Sequence, residues 1–185
     1  MPRWKLLVVW WYNKTQSAIM DDAAHQADLR RGRYSQPWGL YLVTKCAVRP
    51  VSFNTAQKQD IVSALYYARQ QAWLKLHAFV VMNDHWHALL SLNSDKPLSR
   101  LVGDLSRRSR FAWQETTSDY QWQTGFHDHK IRAEESVVDI VRYIENNPVR
   151  KQLVATSAEW AWSSAAANFN DQLDRNFLGH ERWAT

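Results

Sequence analysis

Residues 76–90 read LHAFVVMNDHWHALL, two apolar runs separated by the polar pair Asn83-Asp84. Such a pair is typical of a tight turn, and the flanking runs are typical of strands. We therefore predict a β-hairpin with strands from Trp73 to Met82 and from His85 to Leu92. Alternate side chains of a strand point to the same face, which places His85 and His87 on one face of the sheet. Their Cα atoms would lie roughly 6.5–7 Å apart, close enough for two imidazoles to bind one metal ion.

The sequence on either side of this hairpin predicts one further strand and three helices. Aromatic and β-branched residues from Trp38 to Val48 are typical of a strand. The first helix is expected to be capped by Asn54 or Thr55, and Pro148 is expected to end the last one. Residues 120–132 show no regular pattern. Apolar residues recur at helical spacing in three segments, from Thr55 to Gln71, from Pro97 to Glu115 and from about Glu134 to Asn147.

In chain order these elements are strand, helix, strand, strand, helix and helix. That order predicts an α+β fold, an antiparallel sheet with its helices on one face, and the ferredoxin-like (RRM-like) topology is the nearest common arrangement. We expect this domain to cover residues 38–168. Residues 1–37 are expected to be an N-terminal extension and linker, and residues 169–185 a C-terminal tail.

The composition is compatible with a polyanionic partner but is not diagnostic of one. The net charge of +5 and the pI near 9.4 suit a polyanion, and some of the 11 tryptophans could stack on unpaired bases while most fill the core. A single cysteine, Cys46, excludes an internal disulfide and fits a reducing compartment. The apolar run from Trp4 to Tyr12 is too short to span a bilayer and lacks a clear cleavage site. We therefore expect a cytoplasmic protein without a membrane partner.

Two groups of arginines have two interpretations each. The first group lies mostly off the buried stripe of the second predicted helix, and the second group lies in the N-terminal linker. Each group is either a solvated surface or a contact for a phosphate backbone. The candidate DNA-binding residues are Arg100, Arg107, Arg108 and Arg110 in the helix, and Arg31 and Arg33 in the linker.

The two histidines alone are a weak signal for a metal site, which needs further ligands. Asn147 offers an amide oxygen and lies four residues after Tyr143, so both would share the edge of the third predicted helix. Alternatively, Tyr143 is a half-buried packing residue and Asn147 is the helix end before a proline. The residues by themselves leave both interpretations open.

Three motifs taken together favour the first of these interpretations, because they resemble those of a known family. They resemble the REP-associated tyrosine transposases, relatives of the single-tyrosine insertion-sequence transposases in the HUH superfamily. Two further segments, 41–45 and 122–132, resemble the same family. The match covers roughly residues 33 to 168 and is specific because the motifs occur in the right order and spacing. The three motifs are His85-Trp86-His87, the run from Tyr143 to Arg150, and Trp160-Ala161-Trp162-Ser163-Ser164.

The resemblance implies the HUH endonuclease fold and a set of roles. The nucleophile would be Tyr143, and a divalent ion, Mg²⁺ or Mn²⁺, would be held by His85, His87 and Asn147. Asparagine at position 147 is a departure, because relatives often carry glutamine there. The implied reaction is cleavage and rejoining of single-stranded DNA at palindromic (REP-like) hairpins through a 5′-phosphotyrosine intermediate. A bacterial, nucleoid-associated protein is implied, with a monomer favoured over a dimer.

Two other functions compete with this one. A non-catalytic protein could keep the fold and bind DNA hairpins, and a metal-dependent hydrolase using water would leave Tyr143 dispensable. His127, Asp128 and His129 are expected either to border the site or to be tied into a loop by hydrogen bonds. The catalytic hypothesis requires one arrangement: the strand face carrying His85 and His87 must meet the helix edge carrying Tyr143.

Overall fold

The computed structural model describes residues 35–48, 51–93, 95–111 and 120–175. Arg31 and Arg33 lie outside the described residues, as does most of the predicted N-terminal extension. None of the described helices is long and apolar enough to cross a membrane. The regular elements are β1 (Leu40–Cys46), α1 (Thr55–Gln70), β2 (Leu74–Val81), β3 (His85–Leu92), α2 (Leu98–Phe111), β4 (His127–Lys130), α3 (Val137–Glu145) and α4 (Asn147–Arg150).

The four strands form one antiparallel sheet in the order β2-β3-β1-β4. With α1 between β1 and β2, and α2 between β3 and β4, this is the predicted ferredoxin-like arrangement, which confirms the α+β fold. The predicted hairpin is also confirmed, because the Met82 amide donates to the His85 carbonyl at 2.8 Å and closes a two-residue turn. Asn54 caps α1 as expected, in a reciprocal pair with Gln57.

The helices do not all lie on one face of the sheet, and that part of the prediction is wrong. Trp86 and Ala88 of β3 belong to the core formed with α1 and α2. The histidines of β3 point to the opposite face, where α3 packs against β2 and β3 and the ring of Tyr143 faces that of His87. The apolar stripe of α3 predicts that the helix packs on something, but it carries no information about which face it covers.

Two local predictions also need correction. Residues 127–130 lie in the stretch expected to be irregular, yet they form the edge strand β4, paired with β1. Their sequence, His-Asp-His-Lys, has no apolar alternation, so only the pairing partner makes them a strand. Pro148 does not end the preceding helix: α3 stops at Glu145, and Pro148 lies in the first turn of α4, where a missing amide hydrogen costs nothing.

The motif at 160–164 is structural. The Trp160 indole donates to the Val81 carbonyl at 2.9 Å, and an isolated bridge joins Ser163 to Val80 of β2. The Ser164 hydroxyl accepts from the Phe79 amide at 3.0 Å and donates to Glu145 of α3 at 2.8 Å. This segment therefore covers the outer edge of β2 and connects it to the helix that carries Tyr143.

A second connection comes from Leu173, Asp174 and Arg175, which we call the C-terminal strap. Asp174 exchanges hydrogen bonds with the backbone of Leu76 in β2, and its carboxylate pairs with Arg69 of α1 at 2.7 Å. Arg175 pairs with Glu145 of α3. The strap thus joins the sheet edge to one helix on each face.

We expect Asp174→Ala to lower the free energy of unfolding by about 2–3 kcal/mol, because charge-assisted bonds to Arg69 and Leu76 are lost together. These contacts hold the pKa of Asp174 below its usual value, although burial opposes them. The stabilisation should therefore be complete above the unfolded pKa of about 3.9 and be lost as the pH falls through the lower folded pKa.

Urea denaturation at pH 7 and at decreasing pH measures both effects. The control is Asp95→Ala, at an exposed carboxylate, which should change stability by less than about 0.5 kcal/mol. Equal effects of the two substitutions at pH 7 would show that the strap contributes nothing.

Candidate active site

Two histidines form the centre of the candidate site. His85 and His87 are nearly buried on the same face of β3, with ring centroids 4.8 Å apart. Thr44 Oγ1 lies 2.7 Å from His87 Nδ1, and Asp84 Oδ1 accepts a hydrogen bond from His85 Nδ1 at 2.6 Å. Since Nδ1 of each ring is engaged by an oxygen, Nε2 is the nitrogen that a metal ion would use.

The environment keeps His87 neutral, which is the form that binds metals. Burial lowers the pKa of His87 well below its usual value, and the nearby charges of His85 and Arg150 lower it further. Asp84 opposes this shift but does not reverse it.

Tyr143 lies on α3, on the same side of the sheet as this pair and next to His87. Its ring centroid is 6.2 Å from that of His87, and the residue is 8% exposed. The strand face carrying the histidines therefore meets the helix edge carrying the tyrosine, as the catalytic hypothesis requires. Burial raises the pKa of Tyr143, whereas a hydrogen bond and the charge of Arg150 lower it. The Arg150 guanidinium carbon lies 4.7 Å from the centre of the Tyr143 ring.

Asn147 begins α4, one turn after the tyrosine. Its Nδ2 donates to the Tyr143 carbonyl at 3.0 Å, which fixes the plane of the amide. Within the described part of the chain, its Oδ1 accepts no hydrogen bond. Asn147 is 6% exposed as a residue, and its amide oxygen is available to a ligand, as a third metal donor must be.

The donor set suits a weakly held ion. No group of three His, Cys, Asp or Glu side chains that could surround a metal occurs within the described ranges. Two imidazoles would therefore need oxygen donors to complete the shell, from the Asn147 amide, from water or from a phosphate. Such an open shell is typical of a site where substrate and metal bind together.

The structure adds three residues that the sequence reasoning did not assign. Arg150 lies seven residues after Tyr143, a helical spacing that could have suggested a shared face. Asp84 directly precedes the first histidine. Thr44 has no local signal, because only the register of β1 against β3 brings it opposite His87.

The polar strand β4 lies beside this group. Thr44 pairs with His127 on its other side, so His127 belongs to the same sheet face as His87, one strand further out. His129 is bound by Glu135 at 2.9 Å, and Glu135 also accepts from the Arg132 amide. His127 thus borders the site at the level of the sheet, whereas His129 is tied down by its neighbours.

The structure does not bring the arginines of α2 to this site. Arg100, Arg107, Arg108 and Arg110 are exposed on the helix layer that covers the opposite face of the sheet. Arg107 pairs with Asp104, and the Arg108 guanidinium lies 3.3 Å above the ring of Tyr67.

Comparison with known proteins gives consistent results. The sequence model of the family described as "Transposase IS200 like" matches residues 40–147, from the start of β1 to Asn147. An uncharacterized protein of Haemophilus influenzae is 22% identical, over 68% of this chain and 89% of the relative. The structure of a REP-associated tyrosine transposase bound to a REP hairpin superposes with a TM-score of 0.64 at 24% identity, covering 76% of this chain and 85% of that one. This last match shows a shared fold.

We expect Arg150→Ala to raise the pKa of Tyr143 further, because the cation and the hydrogen bond that favour the phenolate are lost. Carbon-13 labelling of the tyrosine rings and an NMR titration measure this pKa, and Tyr143→Phe assigns the signal. Arg142→Ala, at an exposed arginine of the same helix, is the control and should leave the titration unchanged. An unaltered Tyr143 titration in Arg150→Ala would mean that Arg150 does not act on the phenol.

Proposed function

The chain belongs to the IS200-like transposase family, and on that premise we propose that it is a metal-dependent, single-stranded DNA endonuclease and transposase. It would nick and rejoin DNA at palindromic (REP-like) hairpins through a 5′-phosphotyrosine intermediate. The observation that carries this proposal is the buried Tyr143 ring, 6.2 Å from that of His87, with the Arg150 guanidinium carbon 4.7 Å from its centre. A phosphate bound there would meet a nucleophile, a cation and two side chains suited to a metal ion.

The reaction is an exchange of phosphodiester bonds. The Tyr143 oxygen would attack phosphorus, the new O–P bond would form, and the bond from phosphorus to the 3′ oxygen would break. The phenol gives up its proton, and the departing 3′ oxygen takes one up. Attack by the same or another 3′-hydroxyl reverses these steps and releases Tyr143, so joining needs no nucleotide cofactor.

Arg150 would interact with both the phosphate and the attacking Tyr143 phenol. Its exposed guanidinium offers planar donors to the phosphate oxygens, and its charge favours the phenolate that burial disfavours. His85, His87 and Asn147 would hold Mg²⁺ or Mn²⁺, which supplies Lewis-acid polarisation of the scissile phosphate when bound. Thr44 and Asp84 would fix the two rings so that Nε2 of each faces the ion.

Three observations support the choice of substrate and assembly. The protein is basic, and the structural neighbour is a transposase bound to a REP hairpin. The α2 residues Arg100, Arg107, Arg108 and Arg110 would contact phosphates away from the cleaved bond, because α2 covers the face opposite the histidines. Arg31 and Arg33 would be further phosphate contacts. Both histidines and Tyr143 come from one chain, so a monomer already contains the full set. We place the protein with DNA in the bacterial cytoplasm.

The first test uses a labelled single-stranded hairpin incubated with Mn²⁺ and separated on denaturing gels. We expect a covalent protein–DNA adduct that is absent in Tyr143→Phe. Cleavage that persists in Tyr143→Phe would identify water as the nucleophile and a hydrolase instead. Hairpin binding without any cleavage by the wild-type protein would identify a non-catalytic DNA-binding protein.

The second test addresses the support of the metal ligands. We expect Thr44→Val to need about 10–100-fold more Mn²⁺ for half-maximal nicking, because the hydrogen bond to His87 Nδ1 is lost. Thr44→Ser keeps the hydroxyl and should need the same concentration as the wild type. A Thr44→Val protein with an unchanged Mn²⁺ requirement would exclude this role.

A further inference from the structure

An unusual turn precedes β1. The Gly39 amide donates to the Gln36 carbonyl at 3.0 Å, which closes a four-residue turn with Pro37 at its second position. Trp38 occupies the third position with φ of 64°. With proline at the second position this is a type II turn, whose third position favours glycine or asparagine. A bulky residue there adopts a left-handed conformation at a cost in free energy.

The surrounding structure holds this turn rigidly. The Trp38 amide donates to the Leu92 carbonyl at 3.0 Å, and the Gln36 amide donates to the Tyr41 hydroxyl at 2.9 Å. A Cβ added at Gly39 would lie 2.7 Å from the Tyr41 ring, so the ring packs directly against the glycine backbone. The direction in which the Trp38 side chain leaves the backbone is thereby fixed.

The indole of Trp38 contributes little to the fold. It is 67% exposed, more than any other large apolar side chain among the described residues. Glycine at this position would remove both the exposed apolar surface and the strained conformation. An exposed indole on a hydrogen-bonded turn is instead suited to a partner, because it offers a large contact area with few side-chain torsions to order.

A positively charged side chain binds the same turn. The Lys130 ammonium donates to the Gln36 side chain of the same turn. Arg132 is exposed and follows Ile131, whose amide donates to the Leu40 carbonyl. An exposed indole on a turn that binds the Lys130 ammonium, with the exposed Arg132 two residues further along that chain segment, fits a partner with anionic links and flat, unpaired rings, which is single-stranded nucleic acid.

We propose that Trp38 is a stacking platform for an unpaired base of the bound DNA, in a single-stranded segment that adjoins the hairpin. This rests on the proposed function. The Trp38 amide donates to Leu92, which lies five positions from His87 along β3, so at about 3.3 Å per residue the platform lies roughly 17 Å from that histidine. Trp38 therefore contributes to DNA binding and takes no part in the chemistry.

The test compares Trp38→Gly, Trp38→Phe and the parent protein in a Tyr143→Phe background, so that only binding is measured. The probes are a fluorescent hairpin with single-stranded flanks and the same hairpin with blunt ends. For the flanked probe, we expect Trp38→Gly to raise the Kd about tenfold and Trp38→Phe to change it less than threefold, since stacking survives on a smaller ring. The blunt probe should bind all three proteins alike.

Thermal unfolding separates this contact from a structural role. Trp38→Gly should keep or raise the Tm, because glycine adopts the left-handed conformation without strain. An unchanged Kd for the flanked probe, or a lowered Tm that accounts for weaker binding to both probes, would overturn the proposal. Failure of the nicking reaction is seen separately: hairpin binding by a wild-type protein that forms no adduct would refute the reaction and leave the Trp38 contact standing.

Discussion

The alternation of side chains along β3 is the constraint on which the rest of the structure depends. Trp86 is buried in the core with α1 and α2, and removal of so large a buried side chain costs about 3–5 kcal/mol. Its neighbours His85 and His87 therefore have to face the other side. A slip of one residue would exchange the two sets, placing imidazoles in an apolar core. The packing of one face of the sheet thus determines which side chains of β3 are presented on the other face.

Tyr143 lies on α3, and this helix is positioned by contacts with other segments as well as by the sheet. α3 packs its apolar side on β2 and β3, and Glu145, two residues after the tyrosine, accepts hydrogen bonds from Ser164 and Arg175. These contacts come from segments that also bind the outer strand β2. The rotation of α3, and with it the direction of Tyr143, is set by polar links at the far side of the helix.

The sequence predicts what local pattern determines. The hairpin, the cap at Asn54 and the shared face of the two histidines follow from turn residues and alternation. Residues 127–130 escaped prediction because their strand exists only through pairing with β1, and Thr44 became relevant only through register. The apolar stripe of α3 predicts that the helix is packed on one side, but it does not identify the surface on which the helix packs. The roles of Tyr143 and Asn147 came from resemblance to a family, since spacing alone left them open.

Residues after Asn147 make contacts that determine how short a stable form of this domain could be. The family match ends at that residue, and by then the chain has supplied both histidines, the tyrosine and the amide. The guanidinium over the phenol, the serine on Glu145 and the strap that reaches both faces of the sheet all follow later, at Arg150, Ser164 and residues 173–175. A gene fragment cut at the end of the family match would encode both histidines, the tyrosine and the asparagine of the candidate site, and none of these supporting contacts. Contacts that support the fold therefore continue to at least residue 175, well beyond the end of the family match.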